Sequence, residues 1–129
     1  RMIAQGAVPA DRIVVVPNGI DTQRFYPDPA WRAATRAALG IAPGQRLVLH
    51  VGRLVPEKNQ RLLLDAFARV AQGSDAQLRI AGDGPLRAEL AQRIAALGLG
   101  RHARLLGTRA DVPWLLNAAD LFVLSSEIE

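Results

Sequence analysis

A chain of 129 residues, half of them hydrophobic and 22% charged, carries enough apolar material for the core of one compact domain and is not composed like a disordered segment. It has no cysteine, which excludes disulfides and thiolate metal sites, and no apolar run approaches the roughly 20 residues that span a bilayer. The net charge of +4 raises nucleic acid as a partner, but the basic residues stand singly with few aromatics to stack bases; this speaks for no nucleic-acid face and for a positive potential that suits a phosphorylated small molecule.

In chain order, Arg12-Ile13-Val14-Val15-Val16 reads as a buried strand stopped by the turn signal Pro17-Asn18-Gly19, with Phe25 anchoring the following connection in a core. A short helix is predicted from Ala30 to Leu39, ending at Gly40, and residues 42–45 read as a linker with a domain boundary. Leu47 to Gly52 is the next strand; its lack of alternation predicts burial on both faces, as in a parallel sheet. A loop leads into a helix from Glu57 to Ala71, with Leu63, Ala66, Phe67 and Val70 as its inner stripe and Gly73 as its stop. Leu78 to Gly82 is a strand, Asp83-Gly84-Pro85 a turn, and Leu86 to Leu97 a helix whose inner side is Leu86, Leu90, Ile94 and Leu97. Ala103 to Gly107 is a further strand, Asp111 caps a short helix with Pro113 in its first turn, and Ala119 to Leu124 is the last strand. Strands and helices thus alternate. Right-handed crossovers then predict an α/β fold, a Rossmann-like parallel sheet flanked by helices, with ligands bound beyond the carboxyl ends of the strands.

Four segments reach that edge. In Gly52-Arg53-Leu54-Val55-Pro56-Glu57-Lys58-Asn59 a glycine ends a buried strand, an arginine follows, and a lysine opens the next helix. Arginine as a fork and lysine as a point charge, beside a helix N-terminus, suit a diphosphate; two surface cations in a loop is the alternative. Lys58 is the single lysine among 16 basic residues. Gly82-Asp83-Gly84-Pro85 lacks the third glycine of a dinucleotide fingerprint, since Arg87 stands in its place, and reads first as a tight turn. Ser125-Ser126-Glu127-Ile128-Glu129 offers hydroxyls and carboxylates to a sugar or ribose, or is an exposed polar loop. His50, inside a buried strand, reads as a satisfied core histidine. Neither histidine has metal-ligand spacing.

Taken in order, these segments resemble family 4 of the retaining glycosyltransferases, whose fold is the two-domain GT-B fold. Val14-Val15-Val16-Pro17-Asn18-Gly19-Ile20-Asp21 with Phe25 is similar to that family's interdomain connection, and Val51 to Asn59 to its diphosphate loop. Ile80 to Leu86 is similar to its second turn, and Leu106-Gly107 followed by Ala119 to Glu129 to the approach to its paired glutamates. The resemblance implies a partial C-terminal domain: residues 1–44 as the last strand of the N-terminal domain and the connection, residues 45–129 as the first half of the nucleotide-sugar-binding domain, both ends being cuts in a longer protein. It implies that Arg53 and Lys58 hold the diphosphate and stabilise the leaving group, that Gly52 lies near the phosphates, that Gly82 and Gly107, Thr108 and Arg109 lie near the nucleoside, and that Glu129 faces the donor sugar. The implied reaction moves a hexose-type sugar, with retention, from a UDP- or GDP-linked donor to a glycan, lipid or small-molecule acceptor. It needs no metal and no other cofactor. The implied location is the cytoplasm, extending to the inner face of the membrane through a peripheral contact of the missing N-terminal domain. A non-catalytic nucleotide- or phosphosugar-binding module is the competing reading; a dinucleotide oxidoreductase is disfavoured by the incomplete glycine fingerprint.

Overall fold

The chain is described by a computed structural model over residues 9–126. Four strands, β1 (Leu47–Val51), β2 (Gln77–Ala81), β3 (Ala103–Gly107) and β4 (Leu121–Phe122), form one sheet in the order β3-β2-β1-β4. Every pairing is parallel, with Val48 opposite Leu78, Ile80 opposite Leu105 and Leu49 opposite Phe122. The helices α1 (Pro29–Ala38), α2 (Gln60–Ala71), α3 (Arg87–Ala96) and α4 (Val112–Ala118) cover its two faces. Period-two alternation sorts the strand residues. Leu78 and Ile80 meet Leu64, Phe67, Leu90 and Ile94 of α2 and α3 on one face; Leu47 and Leu49 meet Leu115 and Ala118 of α4, with Leu39 and Ile41, on the other.

Helix α1 starts where its sequence allows it. Asp28 accepts from the Ala30 and Trp31 amides at 2.8 and 3.0 Å, and Pro29 occupies a position whose N–H would be unsatisfied anyway. The helix lies on α4 and is fastened there by Arg32 and Arg36, one turn apart. Arg32 Nη1 donates to the carbonyls of Asn117, Ala118 and Ala119 at 2.9, 3.1 and 2.8 Å, groups that the end of α4 leaves without helical donors. Both arginines also meet the Asp120 carboxylate, at 2.6 and 3.1 Å, and the Leu47 amide donates to it at 2.7 Å. Burial opposes ionisation of Asp120, but the Leu47 amide and the two guanidinium groups outweigh it and hold its pKa at about 2.

Five expectations need correction. Residues 13–20 carry no regular structure; Val14, Val15 and Val16 are 80–84% exposed, and Ala10–Arg12 is a single 3-10 turn. A strand is held by its ladder, and among the described residues nothing pairs with this run. Phe25 is half-buried and belongs to neither core cluster. The helix expected from Glu57 begins at Gln60: Pro56–Lys58 forms a 3-10 turn, and Asn59, at φ +45°, redirects the chain and accepts from the Leu62 amide. The inner stripe is Gln60, Leu63, Leu64 and Phe67, and Ala66 and Val70 are exposed. Asp111 precedes α4 but gives it no side-chain cap, because its carboxylate is taken by Arg109. The last strand is shorter than expected, and Leu121 and Phe122 are exposed.

Candidate functional site

The strand order reverses at β1: the chain steps outward to β2 and β3, then returns to the other side of β1 as β4. In open parallel sheets such a switch point opens a crevice at the carboxyl ends of the strands. Here the loops after the strands close on one another. The Gly52 amide donates to Ala81 O at 3.0 Å, Leu54 N to Asp83 O at 3.0 Å, and Gly82 N to Gly107 O at 2.7 Å. The approach is close enough to demand glycine at position 82: a Cβ there would lie 1.9 Å from Gly52 O, and φ is +136°.

Between these loops lies a pocket of about 250 Å³ lined by Val51, Gly52, Arg53, Ala81, Gly82, Asp83, Thr108, Arg109 and Val112. Five expected site residues, Gly52, Arg53, Gly82, Thr108 and Arg109, therefore share one cavity, with Gly107 at its edge through Gly82. Larger open hollows lie elsewhere: one, lined by Phe25 and Leu116, is on the α1–α4 flank, and another, lined by Ala91, Ile94 and Leu105, is between α3 and β3. Lys58 is not part of the pocket lining. It sits on the β4 side of the same loop, with its Cγ 3.9 Å from where a Cβ on Gly52 would be, and its carbonyl accepts from Ser125 Oγ at 2.8 Å. The lysine thus belongs to a 3-10 turn that bridges the post-β1 and post-β4 loops, rather than to the first turn of α2. Glu129 lies outside the described residues, as does Glu127.

Arg53 is exposed at the pocket mouth, and among the described residues no carboxylate pairs with it. Arg109 is engaged: its Nε and Nη2 bind the Asp111 carboxylate at 2.8 and 2.6 Å. This fork holds the Asp111 carboxyl below its ordinary range. Arg87, expected only as the residue that breaks a glycine fingerprint, reaches the same edge; its Nη1 is 3.2 Å from a Cβ position on Gly107 and 3.6 Å from Asp83. Among the described residues no group of three or more His, Asp or Glu side chains is placed to hold a metal ion, and no helix is long and apolar enough to cross a membrane.

Beneath the loop lie two fully buried polar side chains, His50 and Gln60. Gln60 Nε2 donates to Arg53 O at 2.7 Å and lies 3.2 Å from His50 Nε2, while His50 Nδ1 is 2.9 Å from Val123 O. Only the amide nitrogen can face the Arg53 carbonyl, so its second hydrogen points to a ring nitrogen that must accept; the proton then sits on Nδ1 and is donated to Val123. The core reading of His50 holds; its partner Gln60 lies ten residues away on another element, and no local pattern in the sequence links the two. Gln60 Oε1 is buried with no hydrogen-bond partner among the described residues, an arrangement that costs about 1–3 kcal/mol.

Comparison with known proteins bears on this edge. The family model for glycosyl transferases group 1 matches residues 32–129. The chain is 33% identical over 129 residues to the putative glycosyltransferase EpsF of Bacillus subtilis, covering 99% of this chain and 34% of that protein. It is 37% identical over 113 residues to a GDP-mannose-dependent alpha-(1-6)-phosphatidylinositol dimannoside mannosyltransferase of Mycobacterium tuberculosis, covering 87% and 29%. Among solved structures, Anabaena Alr3699/HepE in complex with UDP and glucose superposes with a TM-score of 0.84 at 33% identity, over 95% of this chain and 34% of that one. The chain spans about a third of the length of these relatives.

Proposed function

The chain belongs to the glycosyl transferases group 1 family, and on that premise we propose that it is the donor-binding part of a transferase that moves a hexose-type sugar, with retention, from a nucleoside-diphosphate sugar to an acceptor. The observation that carries this reading is the pocket in which the loops after β1, β2 and β3 meet, with Arg53 at its mouth and Lys58 on the same loop. Breaking the bond between the anomeric carbon and the phosphate oxygen builds negative charge on the departing diphosphate. Fixed cations aimed at that charge lower the barrier by about 3–4 kcal/mol per group. In this reading Arg53 supplies a planar fork with several N–H donors, and Lys58 a compact ammonium. No metal is invoked, because the two side chains carry the charge that the leaving group requires. Gly52 lets the phosphates approach the backbone, and Gly82, Gly107, Thr108 and Arg109 form the nucleoside end. Glu129 is the residue assigned to the donor sugar.

UDP or GDP is the proposed leaving group, supported by the UDP held in the Anabaena structure and the GDP-mannose dependence in the name of the mycobacterial relative. A glycan, lipid or small molecule is the acceptor class, and a cytoplasmic location with a peripheral contact at the inner membrane face accords with a lipid-linked one. The proposed division takes residues 1–44 as the last strand of the N-terminal domain and the interdomain connection, and residues 45–129 as the first half of the donor-binding domain. We amend that division in one respect: the fastening of α1 to Asp120 and the end of α4 argues that the helix travels with the donor half-domain. The test is a donor screen of the full-length protein, reading release of UDP, GDP or ADP with a set of nucleotide sugars. Turnover with one donor is the expected result. Tight nucleotide binding without release in any combination overturns the transferase reading and leaves a non-catalytic binding module.

A further inference from the structure

We propose that Gln60 is a positioning residue for the sugar transfer: it holds the main chain of Arg53 from below and ties that loop, through His50, to the end of β4. The inference rests on the donor-site reading above. A buried amide is not needed here for packing. Gln60 is the first residue of the inner stripe of α2, where Leu63, Leu64 and Phe67 fill the core, and a methionine of similar volume would fill the same space with no polar atom to satisfy. Instead the fold buries an amide whose oxygen has no partner among the described residues, and uses both of its N–H groups. One N–H grips the carbonyl of the residue proposed to meet the diphosphate. The other grips a histidine that lies directly under the loop, its Nε2 3.2 Å from where a Cβ on Gly52 would stand. The histidine in turn donates to Val123, next to the loop whose Ser125 holds the Lys58 carbonyl. The main-chain anchors of both cations are therefore set from the two sides of the β1–β4 switch point, and the amide of Gln60 sets the one that bears Arg53.

The experiment is a double-mutant cycle in the full-length protein, with the nucleotide sugar that gives turnover in the screen. Gln60→Met should lower kcat about 10- to 100-fold, since a displacement on the order of 1 Å of a catalytic group is enough for that. The donor KM should move less than about threefold, because a misaimed cation loses the interaction made as charge develops. In an Arg53→Ala background the same substitution should change kcat by less than about twofold, because nothing is left to aim. Effects that multiply fully in the double variant mean a general structural role and overturn the proposal. Unchanged rates in Gln60→Met beside a slow Arg53→Ala also overturn it, while leaving the donor-site reading in place; a normal rate in Arg53→Ala overturns the donor-site reading itself. Should Gln60→Met melt well below the parent protein, the cycle is read with Gln60→Asn. Its amide is one methylene too short for the Arg53 carbonyl and should show the same loss of additivity.

Discussion

The α1 flank and the carboxyl edge of the sheet both gather arginine, and they use it in opposite ways. On the flank, Arg32 and Arg36 are consumed internally: their N–H groups meet the carbonyls that end α4 and both oxygens of Asp120. A guanidinium so occupied stabilises the fold and has few donors left for a ligand. At the edge, Arg53 is exposed and its guanidinium meets no described carboxylate; the fold constrains its main chain through Gln60 and leaves its head group to the pocket mouth. Arg109 stands between the two cases, lining the pocket while forked onto Asp111. The same residue type thus serves stability where its donors are filled by the chain, and is suited to binding where the backbone is held and the head group is not.

If that contrast is right, the largest effect on turnover comes from the edge and the largest effects on folding come from elsewhere. Arg53→Ala or Lys58→Ala in the full-length protein should slow turnover by about 100- to 1,000-fold, the loss of about 3–4 kcal/mol of transition-state stabilisation, with the melting temperature unchanged. Steady-state kinetics beside a thermal melt checks both halves; near-normal rates in both variants would remove the edge from the chemistry. Gly82→Ala tests the scaffold of the same edge. Its Cβ would collide with Gly52 O, a backbone atom, in a conformation that side chains rarely adopt. We expect a stability loss of about 2–4 kcal/mol by denaturant titration, from the strained backbone and the forced separation of the loops.

The legibility of the two regions differs for a physical reason. Leu47 to Val51, Gln77 to Ala81 and Ala103 to Gly107 could be read from sequence because each is a short, mostly apolar run closed by a glycine, a local signal. The valines at 14–16 carry the same local signal and fail, since a strand also needs a neighbour that composition cannot supply. The candidate pocket was legible in its glycines and cations for the same reason as the strands: those residues lie in the short segment after each apolar run. What escaped was tertiary. The Gln60–His50–Val123 chain and the Arg32–Asp120 fastening join residues 10 to 88 positions apart, and nothing in a helical period announces which polar residue turns inward. The start of α2 likewise depends on one residue, Asn59, whose left-handed turn separates the 3-10 segment from the helix.

The smallest effects separate two kinds of ion pair. Asp120 has a side chain only 19% exposed and a pKa of about 2 against an ordinary 3.8. A carboxyl depressed in the folded state contributes stability that is present above its unfolded value and is lost as pH falls through the folded one. At about 1.4 kcal/mol per pH unit, Asp120 contributes about 2 kcal/mol near neutrality. In thermal melts, Asp120→Asn should therefore lie clearly below the parent protein at pH 6, and the gap should close between pH 4 and pH 2. The Glu89 carboxyl is also held below its ordinary range, by the hydrogen bond from Arg61 between α2 and α3. Both partners are open to solvent, with side chains 42% and 51% exposed, so water and salt screen the pair and mobile side chains give up entropy to form it. Glu89→Gln should leave the melting temperature where it was at every pH. A melt in which Glu89→Gln and Asp120→Asn fall together would show that charge pairing alone, and not its coupling to the buried backbone of β1 and α4, fastens this fold.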